Sequence, residues 1–125
     1  MANVAVVIVN YNSGAFLKQC LFSLRQSTIP LEIVVVDNGS SDGSAEFLDN
    51  ASGVSDCQLI RNPTNPGFAV AVNQGVQSTT AEDVLLLNPD CIAQPHSVAE
   101  LKLALPREEC GAGGGPVRGL AGGGP

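Results

Sequence analysis

Short apolar runs recur along this chain, and helix-like stretches separate them. The continuous β-branched run over residues 4–9 predicts a strand buried on both faces, because a half-exposed strand would alternate apolar and polar residues. Residues 33–36, 57–60 and 84–87 are further predicted strands. Strands that alternate with helices in this way are joined by right-handed crossovers. The pattern therefore predicts an α/β fold with a parallel, doubly wound sheet, truncated after about four strands.

The stretches between the strands carry apolar side chains at helical spacing. In the first, Phe16, Cys20 and Leu24 are predicted to face the sheet, with Leu17 and Leu21 beside them. The inward side chains predicted for the later helices are Phe47 and Leu48; Phe68, Val72 and Val76 within residues 68–77; and Val98, Leu101 and Leu105. The last helix is predicted to begin at Gln94 and Pro95, since proline is favoured in a first turn.

The composition changes after residue 105. Eight of the fourteen glycines and three of the eight prolines lie in residues 106–125, which contain few apolar side chains. Such a segment buries too little surface to offset the entropy lost on ordering. We therefore predict a folded unit over residues 1–105 and a disordered Gly/Pro-rich tail over residues 106–125.

Charge and cysteine usage exclude several classes of protein. The net charge is −6 with six Lys and Arg residues, too few for a basic nucleic-acid-binding face. The longest apolar run is far too short for a transmembrane segment, and no signal peptide precedes it, which predicts a cytoplasmic protein. Four widely spaced cysteines favour reduced thiols over a zinc site or disulfide framework.

Polar clusters follow three of the predicted strands, at residues 10–12, 37–42 and 88–90. Each cluster alone is most simply a turn, because Asn, Asp, Gly and Ser are turn residues. In a parallel sheet, however, these clusters meet at the carboxyl edge, where open α/β folds bind their ligands. Asp37 could accept hydrogen bonds from a nucleoside, and Asp90 suits a hard cation carried by a phosphate.

The motifs together resemble the amino-terminal part of the inverting glycosyltransferases of family 2. The matching segments are Val7-Ile8-Val9-Asn10-Tyr11-Asn12, the run from Val34 through Asp37-Asn38-Gly39-Ser40-Ser41-Asp42 to Ser44, Asn65-Pro66-Gly67-Phe68-Ala69, Asn73-Gln74-Gly75 and Leu87-Asn88-Pro89-Asp90. Their order, spacing and strand context agree from about residue 4 to about residue 105. The Asn-Pro-Asp form is most similar to the rhamnosyltransferase-like branch, which acts in bacterial surface polysaccharide biosynthesis.

The resemblance implies a Rossmann-like GT-A fold and a nucleotide-sugar site. It implies a UDP- or dTDP-linked donor, a saccharide or lipid-linked saccharide acceptor, and Mg²⁺ or Mn²⁺ as cofactor. The nucleotide-binding residues implied are Asn10, Tyr11, Asp37, Gly67, Asn73 and Asn88, and the implied metal ligand is Asp90. Because Asn88 replaces the first acidic residue of the family's metal motif, metal binding would depend on Asp90 alone.

The chain departs from the family where the catalytic base is expected. Inverting transfer needs a carboxylate that deprotonates the acceptor, and the acidic residues after Asp90 are Glu100, Glu108 and Glu109, none in the expected context. Residues 111–119 match the family's next strand only loosely. We therefore expect a truncated donor-binding portion with unassigned catalytic residues, little activity of its own, and self-association through an uncovered sheet edge.

One other class of protein fits the same sequence. The alternative is a non-catalytic nucleotide-binding or interaction module derived from the same fold. A receiver domain would need an acidic pair after the first strand, and a dinucleotide dehydrogenase would need a glycine fingerprint there. Neither is present in this sequence.

Overall fold

The computed structural model describes residues 3–50, 57–104 and 118–122. Its strands are β1 (Val4–Asn10), β2 (Leu31–Asp37), β3 (Cys57–Arg61), β4 (Asp83–Leu87) and β5 (Arg118–Gly122). Its helices are α1 (Phe16–Leu24), α2 (Phe68–Gln77) and α3 (Ser97–Ala104), with a 3₁₀ helix over Glu46–Asn50. The strands pair in parallel in the order β3-β2-β1-β4-β5. The predicted α/β class and parallel sheet are confirmed.

The sheet is covered on both faces, which explains the continuous apolar runs. On one face, alternate residues of β1, β2 and β4 pack with α1, α3 and the 3₁₀ helix. On the other face, the intervening residues of the same strands pack against α2. Because side chains alternate across a strand, both sets must be apolar. The central strand β1 is buried from Val4 to Ile8.

Helix α2 lies unusually close to the sheet at Gly75. A Cβ atom at this position would lie 2.5 Å from Val7 Cγ1 and 3.4 Å from Val36 Cγ2. Ala71 and Gly75 are the buried residues of this helix, so the small side chains face the strands. The predicted inward stripe is wrong at Phe68, which is 60% exposed, while Val72 and Val76 are partly buried.

Two other inward assignments are also wrong. In α1, the buried residues are Leu17, Cys20, Leu21 and Leu24, and this i, i+3, i+4, i+7 stripe leaves Phe16 about one residue out of phase and exposed. In α3, only Val98 is buried, and Leu101 is exposed. The third residue predicted to be inward there, Leu105, lies outside the described residues.

The last helix begins later than predicted. Pro95 precedes α3 rather than occupying its first turn, and its carbonyl accepts a hydrogen bond from the Thr28 N–H at 2.9 Å. The loop before α3 is thereby fixed to the segment between α1 and β2. None of the helices in the described ranges is long and apolar enough to span a bilayer.

The sheet contains a fifth strand that the sequence did not predict. Residues 118–122, inside the predicted tail, form β5 and pair along β4 from Asp83 to Leu87. A Gly- and Ala-rich segment has too few large apolar side chains to be predicted as a strand from its sequence. Here the segment is a strand because all five of its residues pair with β4. The remainder of residues 106–125 lies outside the described residues. Since β4 is paired on both sides, the edge for which self-association was predicted is covered by β5, and self-association itself stays a prediction.

Candidate functional site at the carboxyl edge of the sheet

The ends of β1 and β2 are joined by a buried polar contact. Asn10 pairs with Asp37 in the parallel register, and Asn10 Nδ2 donates to Asp37 Oδ1 at 2.8 Å. Asn10 is 0% exposed and Asp37 is 3% exposed. A buried carboxylate is tolerated only when hydrogen bonds replace its lost hydration. This pair therefore depends on the donors that surround it.

Those donors come from the loop that follows β2. Ser40 donates to Asp37 twice, from its hydroxyl to Oδ1 at 2.7 Å and from its N–H to Oδ2 at 3.2 Å. Asn10 Nδ2 also lies 2.9 Å from Ser44 Oγ, and Asn10 Oδ1 accepts a hydrogen bond from Ser13 Oγ. Asp37 consequently holds the two strand ends and the following loop together. This structural role was not predicted from the sequence.

The loops after β1 and β2 are also fastened to each other near the surface. Asn12, at φ 48°, accepts hydrogen bonds from the Ser41 and Asp42 N–H groups at 2.8 and 3.3 Å. Asp42 accepts from the Gly14 N–H and the Ser44 N–H, each at 2.9 Å. Tyr11 lies at the start of this pair of loops with its ring exposed. These hydrogen bonds hold the two loops together next to the Asn10–Asp37 pair.

Hydrogen bonding depresses the pKa of Asp42. The Ser44 side chain makes the largest contribution, followed by the Ser44 N–H, and the Gly14 N–H adds a smaller one. These donors favour the ionised carboxylate and so keep the pKa below its usual range. The bond of Asp42 to the Ser44 N–H also fixes the segment that precedes the 3₁₀ helix.

A network of amide side chains fixes the turn before α2. Asn38, which is 2% exposed, donates from Nδ2 to Asn65 Oδ1 at 3.2 Å and to the Gly67 carbonyl at 3.3 Å. Its Oδ1 accepts from Asn62 Nδ2 at 2.9 Å, and Asn62 exchanges hydrogen bonds with Gln74 of α2. Asn38 is the residue that follows Asp37, and its bonds therefore hold Gly67 next to the end of β2. The pattern of scattered Asn and Gln residues gave no signal of this network.

Gly67 and Asn73 are the other two predicted nucleotide-binding residues near this turn, and the structure gives a clear structural role only for Gly67. Gly67 has φ 100°, a conformation that side chains rarely adopt, and it is the N-cap of α2. Its N–H donates to Asn65 Oδ1 at 2.8 Å. Asn73 is exposed on α2.

The corner after β4 lies at the same edge. Leu87 pairs with Ile8, so Asn88 and Asp90 follow at the level where β1 ends. The Asn88 carbonyl accepts from the Cys91 N–H at 3.1 Å and from Cys20 Sγ at 3.9 Å. The side chains of Asn88 and Asp90 are exposed. The Asp90 carboxylate is therefore exposed to solvent at the same edge of the sheet as the Asn10–Asp37 pair.

The buried thiol behind this corner is strongly perturbed. Burial, with smaller contributions from the neighbouring Cys91 and the Asp90 carboxylate, raises the pKa of Cys20 to about 12. Cys20 is thus a protonated packing group at neutral pH. Cys20, Cys57 and Cys91 are free thiols.

The donor set at the edge suits a shared cation better than a metal site built from protein ligands alone. Within the described residues, no group of three His, Cys, Asp or Glu side chains could hold a metal ion. Asp90 is one exposed oxygen ligand, and Asn88 offers an amide oxygen nearby in sequence. Hard cations can complete such a shell with phosphate oxygens and water. The residues present therefore fit a divalent cation that arrives with a diphosphate.

This fold and edge define a parallel, Rossmann-like α/β domain, and sequence comparison identifies its family. The model of the family described as Glycosyl transferase family 2 matches residues 5–121. The chain belongs to glycosyl transferase family 2, which confirms the resemblance found in its motifs.

Relatives and solved structures agree with this assignment. The chain is 30% identical over 101 residues to the glycosyltransferase GlyG of Streptococcus pneumoniae, covering 78% of this chain and 33% of GlyG. It is 32% identical over 105 residues to an undecaprenyl-phosphate 4-deoxy-4-formamido-L-arabinose transferase of Pectobacterium carotovorum, covering 79% and 32% of the two chains. The chain spans roughly a third of the length of the curated relatives it matches.

The fold is similar to those of two proteins solved with nucleotide sugars. Mannosyltransferase PcManGT from Pyrobaculum calidifontis, in complex with GDP-Man and Mn²⁺, superposes with a TM-score of 0.75 at 25% identity, covering 83% of this chain and 33% of PcManGT. S. aureus TarS in complex with UDP-GlcNAc gives a TM-score of 0.73 at 22% identity, covering 82% and 30%. The TarS match concerns the fold alone.

Proposed function

We propose that this chain forms the donor-binding portion of a metal-dependent, inverting family 2 glycosyltransferase. The donor is a nucleotide-diphosphate sugar, UDP- or dTDP-linked, and the acceptor is a saccharide, free or lipid-linked. One observation carries the proposal: the register of the parallel sheet brings Asn10, Asp37 and the Asn88–Asp90 corner to a single edge. Ligands of open α/β sheets bind at that edge.

The nucleoside is assigned to the side of the edge formed by β1 and β2. Tyr11 presents an exposed ring there, and aromatic stacking with a base contributes about 1 to 3 kcal/mol. Asp37 is largely enclosed, so its main contribution is to hold Asn10 and the Ser40 loop in a fixed arrangement. Gly67 borders the same side because Asn38 fixes it there, and Asn73 and Asn88 complete the proposed nucleotide contacts.

The diphosphate is assigned to the corner after β4. Asp90 would hold Mg²⁺ or Mn²⁺ there, and the ion would neutralise the charge that develops on the leaving diphosphate. Asp90 is exposed, and it is the one charged residue in the segment from residue 88 to residue 93. Few basic residues are available in this chain to bind the phosphates, so a bound cation would supply the positive charge.

The relatives support the class of substrate. PcManGT was solved with GDP-Man and Mn²⁺, and TarS with UDP-GlcNAc. The Pectobacterium relative is named for transfer involving undecaprenyl-phosphate, which supports a lipid-linked acceptor. The assignment to a rhamnosyltransferase-like branch of polysaccharide biosynthesis stays a prediction from the Asn-Pro-Asp form.

We assign the catalytic base to none of the described carboxylates. Glu100 is exposed in the first turn of α3. Among the described residues, its side chain makes no hydrogen bond or ion pair with a residue of the carboxyl edge. The part of the reaction that this chain's own residues support is therefore donor binding and orientation, with little transfer by the 125-residue chain itself.

Calorimetric titration with UDP, dTDP and GDP, each with and without Mn²⁺, tests the proposal. We expect UDP or dTDP to bind only with Mn²⁺, and Asp90→Asn to weaken this binding at least about tenfold. Glu82→Gln is the matched control, because Glu82 is an exposed carboxylate next to the start of β4, at the opposite edge. Binding that needs no metal and is unchanged in Asp90→Asn would contradict the assignment.

A further inference from the structure

The outer face of α1 has a chemistry that donor binding does not use. Lys18, Phe22 and Arg25 follow one another at i, i+4 and i+7, so they form a stripe along the solvent side of this helix. Phe22 is 67% exposed, more than any other aromatic residue in the described part of the chain. No acidic residue occurs in α1. The stripe is therefore cationic and apolar on a chain whose net charge is −6.

The stripe continues into the segment that follows the Asp90 corner. Ile92 is more than half exposed and lines a groove of about 530 Å³ together with Lys18, Gln19, Phe22 and Ser23. The Ala93 N–H donates to Ser23 Oγ at 2.9 Å, which fixes this segment against α1. The apolar surface thus comes from two segments held in one arrangement.

A second groove lies beside the stripe. It has a volume of about 250 Å³ and is lined by Lys18, Leu21, Phe22, Arg25, Ile33 and Phe47. Lys18 Nζ lies 5.9 Å from the centre of the Phe47 ring, within cation–π range of another residue that lines this groove. Lys18 and Phe22 line both grooves, so the lining of each groove contains apolar and basic side chains.

We infer that this surface, formed by Lys18, Phe22, Arg25 and Ile92, docks the protein onto an anionic phospholipid surface. Protruding Phe and Ile side chains flanked by Lys and Arg are the chemistry with which peripheral helices enter the headgroup region. The aliphatic stems of Lys18 and Arg25 can lie along the apolar surface while their charges reach lipid phosphates. The two shallow grooves accept acyl segments between these contacts.

The docking surface lies near the carboxyl edge of the sheet. Ile92 lies two residues after Asp90, in the segment fixed to α1 by Ser23. Phe16, also exposed, lies at the end of α1 that is next to the end of β1. Docking through this face therefore holds the carboxyl edge near the lipid surface. This inference goes beyond nucleotide binding and does not depend on it.

Sedimentation with vesicles tests the inference on the intact chain. We expect binding to vesicles that contain phosphatidylglycerol, little binding to phosphatidylcholine alone, and weaker binding as salt rises. Lys18→Gln/Arg25→Gln is expected to weaken binding roughly 30-fold, at about 1 kcal/mol for each basic residue. Phe22→Gln is expected to weaken it at least about tenfold through lost apolar burial.

The matched control is Phe68→Gln, the same substitution at a residue of similar exposure on α2, across the sheet. It is expected to leave vesicle binding unchanged. Equal loss in Phe68→Gln and Phe22→Gln, or no preference for phosphatidylglycerol in the wild type, would overturn the inference. So would a dimer, detected by analytical ultracentrifugation, that Phe22→Gln converts to monomer without vesicle binding, because a second copy would then cover the face. Nucleotide titrations without vesicles are a separate measurement, so failure of this inference is distinguishable from failure of the proposed function.

Discussion

Asn10 Nδ2 donates to the buried Asp37 carboxylate at 2.8 Å, across the register pair that ends β1 and β2. The backbone continues the same connection, since the Asn38 N–H donates to the Asn10 carbonyl at 2.8 Å. The site edge is thus built on a contact between neighbouring strands, and the loops around it are arranged by the same two residues.

Substitution of Asn10 is expected to reduce stability, because it leaves the Asp37 carboxylate buried with fewer donors. We expect Asn10→Ala to lower the free energy of unfolding by about 2 to 3 kcal/mol. Asn10→Asp is expected to cost more at neutral pH, since it adds a like charge beside Asp37. Urea unfolding measures both. The control Gln19→Ala, at an exposed position of α1, is expected to change stability by less than about 0.5 kcal/mol. An Asn10→Ala protein as stable as this control would show that the contact contributes little.

The contact between α2 and the sheet predicts a cost for the smallest added side chain. Gly75→Ala is expected to destabilise the chain by about 1 to 3 kcal/mol, although Ala favours helices, because its Cβ would overlap the Val7 side chain. Val7→Ala in the same chain removes the overlapping methyl group. Thermal unfolding should therefore show the double variant to be more stable than the sum of the two single effects predicts. Simple additivity would contradict the close approach.

The sheet and its site edge were predictable to different degrees. The strands and their parallel arrangement follow from continuous apolar runs, which only a sheet covered on both faces requires. Convergence of Asn10, Asp37 and Asp90 then follows from the strand ends. The buried face of α2 did not follow from hydropathy, because the contact with Val7 selects a glycine and leaves Phe68 exposed.

Other features depend on geometry that the sequence does not encode locally. Strand β5 is Gly- and Ala-rich, so its own residues do not predict a strand. Its pairing depends on the backbone groups along the edge of β4, which only the folded sheet provides. The Asn38 network joins residues far apart in sequence through single hydrogen bonds, whose partners depend on the conformation of each loop.

The Asp42 carboxylate predicts a change in stability at acid pH. Because its folded-state pKa is depressed, its contribution to stability is present above the unfolded pKa and is lost as the pH falls through the folded value. Unfolding curves measured across the acid range should therefore show a smaller loss in Asp42→Asn than in the wild type. Identical pH profiles for the two proteins would show that the bonds to Ser44 and Gly14 do not distinguish the folded state.

The buried Asn38 amide predicts local loosening of the turn before α2. In Asn38→Asp, a carboxylate oxygen would face the Asn65 Oδ1 atom and the Gly67 carbonyl, in place of the donor that now binds them. Hydrogen exchange at the Gly67 amide and the first turn of α2 is expected to accelerate at least about tenfold. Gln77→Glu, the corresponding change at an exposed residue of α2, is the control. Unchanged protection in Asn38→Asp would contradict the role of the network.

The central claim is that a nucleoside diphosphate binds at the carboxyl edge, and amide chemical shifts measure this most directly. Titration of the ¹⁵N-labelled chain with UDP and Mg²⁺ is predicted to shift amides of Tyr11, Asn12, Ser41 and Asp90 most strongly. Amides near Glu82, at the opposite edge, are predicted to stay in place. Shifts concentrated at the opposite edge, or no shift at the carboxyl edge when nucleotide and metal are both in excess, would contradict the account.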